Sequence, residues 1–158
     1  MSNDPESVGL AANGMRPARA VTLALEPHPE GGWYRRTWTS PAAVLTDRGE
    51  RPAATLIHFL LAPGEASAWH VVSSDEVWLW HGPGALNLQL GGDGRDPEPG
   101  EIILLGGDEG EGQQAQGLVR AGVWQRTLPG NDEVLVSCLV SPGFSFEDWR
   151  LQDAAEQD

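Results

Sequence analysis

The first candidates for chemistry in this sequence are a histidine and a carboxylate set close together in an apolar stretch. His70 and Glu76 lie within residues 64–82, GEASAWHVVSSDEVWLWHG. Ala68 and Trp69 precede the histidine and Val71 and Val72 follow it. Val77, Trp78, Leu79 and Trp80 follow the glutamate. Between them, Ser73-Ser74-Asp75 has the composition of a turn. The pattern predicts strand, tight turn, strand, with glycine closing both ends. His70 and Glu76 are then expected on paired strands, aimed at whatever those strands enclose. A carboxylate buried there is costly unless a cation, a metal, an imidazolium or a ligand meets it. An imidazole beside it can act as a base near neutral pH. The bland alternative is a structural pair in a core.

Other side chains compete for a place in the same site. Glu30 stands in Glu26-Pro-His-Pro-Glu-Gly-Gly32, where two prolines and two glycines exclude a helix and force a tightly specified loop. That loop is either a backbone turn alone or the wall of a pocket. Tyr34 is the one tyrosine, and a phenol can donate a proton. Trp78 and Trp80 share the face of Glu76 in a regular strand. They either fill a barrel or give a flat wall to a sugar or aromatic ring. Arg35 and Arg36 alternate along a strand, so one points inward. There it would suit a carboxylate or phosphate; a surface ion pair is the alternative. His58 and His81 flank core strands as structural or exposed residues. No glycine-rich nucleotide loop, serine-nucleophile elbow or CxxC pair occurs.

The elements that must position these groups are short. The chain has 158 residues, enough for one domain with a sizeable core. Twenty glycines, twelve prolines and seven tryptophans suit many short strands joined by tight turns, not a helical bundle. Apolar runs at 53–61, 101–105 and 133–140, with strict alternation at 85–90, predict roughly eight or nine strands. Strands are also expected at 21–25 and 33–39, and a polar, exposed loop at 40–52. Residues 1–18 and 153–158 read as polar tails around a domain at 19–152. From pattern alone the fold class is all-β, sandwich or barrel.

Ten arginines, no lysine and 23 acidic residues give a net charge of −13, which disfavours nucleic acid and anionic membrane as partners. No apolar run approaches the roughly 20 residues of a membrane span. The polar, acidic start lacks a signal peptide's pattern, so a cytoplasmic protein is expected. Cys138, alone, reads as a small buried hydrophobe.

A glycine, five residues, His70, then Glu76 and a closing glycine resemble the first motif of the cupins, which are double-stranded β-helix (jelly-roll) barrels of two antiparallel sheets. The usual second histidine, two places on, is Val72 here. The second motif is matched by Gly122, with Arg120 where proline is usual and Gln125 where the third histidine stands. Around these departures the chain is similar to the small single-domain cupins of unassigned function whose fold is like that of the dTDP-sugar 3,5-epimerases. The matching residues include His28-Pro-Glu-Gly-Gly32 with Trp33-Tyr34, His70 with Ser74-Asp75-Glu76, Gly122-Val-Trp-Gln125, and Cys138 with Pro142-Gly-Phe144 and Phe146. The resemblance implies a homodimer and a barrel that takes a small polar, sugar-like or anionic ligand. It also implies a metal-independent isomerase or epimerase, or a related lyase. In that reading His70 is the base, Glu76 its orienting partner and Tyr34 the acid, with Glu30, Arg35, Trp78, Trp80 and Gln125 contacting ligand. No cofactor is expected. Two alternatives stay open: a binding module without turnover, and a metal enzyme holding a divalent ion through His70, Glu76 and Gln125, joined by His58 or His81.

Overall fold

Apolar runs broken every few residues by glycine or proline favour short strands. The computed structural model describes residues 15–153 and builds them from thirteen strands and one five-residue α-helix. The helix, α1 (Ala18–Thr22), precedes β1 (Glu26–Pro27), β2 (Trp33–Thr39), β3 (Ala43–Thr46), β4 (Gly49–Pro52) and β5 (Thr55–Leu61). Then come β6 (His70–Val72), β7 (Asp75–Pro83), β8 (Leu86–Leu90) and β9 (Ile102–Leu105). β10 (Gln116–Val119), β11 (Gln125–Thr127), β12 (Val134–Ser141) and β13 (Trp149–Leu151) complete the chain. The tails expected at the two ends lie mostly outside the described residues.

Two antiparallel sheets face each other. The larger has the order β1-β2-β5-β12-β7-β10, the smaller β13-β6-β11-β8-β9, and β3 and β4 form a separate hairpin. This is the double-stranded β-helix that the motifs imply. Side chains alternate across the larger sheet. Phe59, Leu61, Trp78, Val136 and Cys138 point between the sheets, where they meet Leu86, Leu88 and Leu105. Trp33, Leu60 and Leu135 point the other way and are covered by Ala20 and Leu25. Each fully buried large side chain contributes about 1.5–3 kcal/mol over an exposed one. Among the described residues no helix is long and apolar enough to cross a membrane.

Three expectations need correction. Residues 21–25 are not a strand: the helix formers Ala18, Arg19 and Ala20 start a helical turn after Pro17, and the Leu25 N–H closes it on the Ala20 carbonyl at 2.7 Å. Residues 40–52 are not a loop but carry the β3–β4 hairpin, turned at Gly49 with φ of 107°. Its polarity hid it, because β3 is largely open to water, with Leu45 87% exposed, and β4 faces the protein through the charged Arg51 rather than an apolar side chain. His70 and Glu76 are not on paired strands. β6 pairs β11 and β13, and β7 pairs β12 and β10. The Ser73-Ser74 turn carries the chain from one sheet to the facing one. The two side chains therefore converge from opposite walls of the barrel.

Candidate functional site

The loop before β2 supplies half of the site. Gly31 and Gly32 have φ of 109° and 76°, and a Cβ on Gly31 would lie 2.3 Å from the Ala66 carbonyl oxygen. Only glycine allows that close approach. The His28 N–H donates to the Gly32 carbonyl at 2.9 Å, and the Ala68 N–H to the Glu30 carbonyl at 2.7 Å. So fixed, the loop turns His28 and Glu30 into a cavity of about 340 Å³, where they meet His70, Glu76, Tyr34 and Cys138.

Hydrogen-bond directions fix the protons. The Glu30 N–H donates to His28 Nδ1 at 3.1 Å, so that nitrogen carries no proton. His28 is then neutral, with its proton on Nε2, 3.3 Å from Glu30 Oε1. Burial, outweighing the attraction of Glu30, holds this imidazole below its ordinary pKa. His70 Nδ1 lies 2.7 Å from the Ala68 carbonyl, which can only accept, so Nδ1 carries a proton. Glu30 Oε2 sits 2.6 Å from the same nitrogen but off the N–H axis, and has no aligned hydrogen bond. Burial opposes charge on His70, yet the Glu30 and Glu76 carboxylates outweigh it and raise its pKa. Burial likewise opposes charge on Glu30, and His70 and His28 outweigh it, so Glu30 stays ionised. The carboxylate against His70 is thus Glu30, not Glu76.

Glu76 has a different neighbourhood. Gln125 Nε2 donates to its Oε1 at 2.7 Å, and the indole N–H of Trp78 donates to Gln125 Oε1 at 2.9 Å. An indole can only donate, so this chain fixes the amide's orientation. Burial, reinforced by Glu30 and only partly offset by His70, pushes the Glu76 carboxyl up to about 7. The Cys138 thiol beside it is pushed well up by burial and by Glu76, and stays protonated.

The other candidates are placed as follows. Tyr34 lines the cavity, its ring edge-on to His28 with centroids 4.4 Å apart. Arg35 and Arg36 are both at the exposed rim; Arg36 donates to the Phe144 carbonyl at 2.9 Å, and Arg35 pairs in register with His58. Trp78 is packed in the core and Trp80 donates to the Gly84 carbonyl; neither lines the cavity. Gln125 acts on Glu76 rather than on the cavity space. His58 and His81 lie outside the cavity, their rings 6.4 Å apart, with His81 Nε2 2.6 Å from Ser137 Oγ. Sequence reasoning missed Phe144, Phe146 and Trp149 as lining residues, and of the two arginines weighed it expected only one inside, whereas both reach the rim. Phe144 and Phe146 were visible only as matches to the resembled family.

A cupin metal would sit among His70, Glu76 and residue 125. Val72 offers no donor and Gln125 has its oxygen committed to Trp78, so of that set only His70 Nε2 and the Glu76 carboxylate remain as ligands. Among the described residues no three His, Cys, Asp or Glu side chains are disposed to hold a metal ion. The donor set does not fit one.

The comparisons agree with this architecture. A hypothetical protein from Leishmania major is similar at 31% identity, with 90% of each chain covered and a TM-score of 0.78. A protein from Shewanella oneidensis is similar at 33% identity, covering 90% of this chain and 89% of that one, with a TM-score of 0.79. An uncharacterized double-stranded β-helix protein from Klebsiella pneumoniae, at 13% identity and a TM-score of 0.56 over 84% of this chain and 94% of that one, shares the fold alone. No curated protein matches significantly. The family described as cupin superfamily (DUF985) matches residues 19–152. By that match and the facing sheets, the chain belongs to the DUF985 family of the cupins.

Proposed function

We propose that the barrel binds a small polar molecule and moves a proton on it, as an isomerase, epimerase or related lyase does. The observation that carries this reading is the convergence of His70, Glu30 and Glu76 on one cavity, with Glu30 against His70 and a neutral amide against Glu76. An ionised pair and a separate carboxyl set near neutrality are what acid–base chemistry at pH 7 asks for. Glu76 takes a proton from a carbon next to a carbonyl. His70, kept charged by Glu30, donates from Nε2, the nitrogen without a protein partner, to the oxygen that gains charge. Tyr34 supplies a second O–H at the wall. Glu76 then returns the proton to the same or the neighbouring carbon, and His70 takes its own proton back as a carbonyl re-forms. These roles exchange those that the resemblance implies, with the base moving from His70 to Glu76. No step is routed through a metal.

The test is deuterium uptake in D₂O by a panel of small carbonyl compounds, followed by proton NMR. Wild type should exchange the α-hydrogens of at least one, and Glu76→Gln should slow this about 100-fold or more while still binding. Compounds that bind saturably and never exchange above buffer would leave a binding module. The profile should rise with pH as Glu76 ionises near 7 and fall once His70 loses its proton.

A further inference from the structure

The cavity has a second half, built unlike the first. Phe144, Phe146 and Trp149 wall it, and Ile57, Val72 and Val140 complete it. Successive rings meet edge to face: Phe144 and Phe146 at 5.0 Å and 84°, Phe146 and Trp149 at 5.4 Å and 88°. His28 joins this wall to the acid–base end, 6.0 Å from Phe146 and 4.4 Å from Tyr34. The buried ionisable groups lie at that other end. The charged groups at the outer end, Arg35, Arg36 and Glu26, are exposed, and Arg36 holds the Phe144 carbonyl in place.

The wall is presented rather than collapsed. Phe146 is 45% exposed. Its backbone is fixed: Ser145 Oγ accepts the Glu147 N–H at 3.3 Å, and Arg51 grips Asp148 through two hydrogen bonds of 2.8 and 3.1 Å. A rigid, partly exposed aromatic surface inside a pocket is arranged for a flat ring. The space agrees: a cavity of about 150 Å³ holds one benzene, and this one, at about 340 Å³, has room for a ring and a polar head of similar size.

We infer that the ligand of this site is a small carbonyl compound bearing an aryl ring, with the ring against Phe144, Phe146 and Trp149 and the carbonyl between His70 and Glu76. The carbonyl half of the inference rests on the proton-transfer reading; the ring half rests on the wall alone. An unsubstituted sugar fits worse, because its hydroxyls would face Ile57, Val140 and Phe146 unpaired. The site thus departs from the sugar-like ligand that the resemblance implies.

Acetophenone and dihydroxyacetone are matched probes, both with α-hydrogens and only one with a ring. Ligand-observed NMR titration of the whole chain should show acetophenone binding at least about tenfold tighter, the scale of one buried ring contact. Phe146→Ala should weaken acetophenone about tenfold and leave dihydroxyacetone unchanged. Phe146→Leu, which keeps bulk without a ring, should weaken acetophenone by less and guards against a misfolded alanine variant. Equal binding of the two probes, no saturable acetophenone binding, or indifference to both substitutions overturns the inference. Deuterium uptake separates the two readings. Acetophenone that binds through Phe146 without exchanging leaves the ring assignment standing and removes the proton transfer. Exchange of dihydroxyacetone with no preference for the ring does the reverse.

Discussion

Glu76 in the barrel and Asp148 beneath the β3–β4 hairpin are both buried acids, and they differ in what faces them. Asp148 meets two cations: Arg51 through two hydrogen bonds and Arg48 Nε at 3.1 Å. The Arg51 hydrogen bonds, then its charge, hold Asp148 below the ordinary carboxylate range. Glu76 meets a neutral amide and a thiol, and burial pushes it up to about 7. One acid is locked in a single charge state and ties a hairpin to the segment bearing Phe146. The other keeps a proton available at neutral pH. Burial alone does not mark a functional carboxylate; burial without a cation of its own does.

The strongest way to break that contrast is to remove the one countercharge inside the barrel. Glu30→Ala leaves the buried His70 charge without its nearest partner and should cost about 3 kcal/mol at pH 6, read by urea unfolding. His70 has its pKa raised, so its pairing stabilises the fold fully below the ordinary histidine pKa and is lost as pH rises through the folded value. The loss in Glu30→Ala should accordingly shrink in alkali. A change under about 0.5 kcal/mol at pH 6 would mean that this pair does not hold the site.

Glu76 should behave with the opposite sign. Its folded pKa of about 7 stands above the ordinary 4.5, so its cost begins as pH rises past 4.5 and is complete above 7. That span, at about 1.4 kcal/mol per pKa unit, bounds the cost near 3 kcal/mol. Glu76→Gln keeps the acceptor for Gln125 and should be close to neutral at pH 4. At pH 8 it should be stabilising by up to about 3 kcal/mol, while abolishing proton transfer. Urea midpoints at the two pH values measure it. A variant destabilised at pH 8 would place Glu76 with the structural acids.

Asp148→Asn sharpens the comparison with the smallest effect. Its pKa is lowered, so its stabilisation is present above the ordinary carboxylate pKa and disappears as pH falls through the folded value. A loss of about 1 kcal/mol at pH 7, fading in acid, is expected by thermal unfolding.

Most of the barrel was legible in the residues, because period-two alternation at Leu86, Leu88 and Leu90 and punctuation by Pro63-Gly64 or Pro142-Gly143 report local physics. What was not legible depends on pairing at a distance. The turn at Ser73-Ser74 reads equally as a hairpin or as a crossing between sheets, and only the partners of β6 and β7 decide it. The same choice set which acid meets His70: Glu76 is nearer in sequence, but the glycine-shaped loop at Gly31 and Gly32 brings Glu30 to 2.6 Å. Trp78 and Trp80 lie on the expected strand, yet the lining falls to aromatic residues near the C-terminus whose spacing carries no local signal. The hairpin at 43–52 escaped because an exposed β3 and a β4 that is covered through Arg51 rather than apolar side chains show no hydrophobic alternation.

The central claim is that Glu76 is a buried acid poised to exchange its proton. Carbon-13 NMR of the side-chain carboxyl of Glu76, assigned by its loss in Glu76→Gln, tests this directly. A titration midpoint near 7 is the result this account predicts. A midpoint at or below the ordinary carboxylate value would contradict it, and with it the assignment of Glu76 as the group that moves the proton.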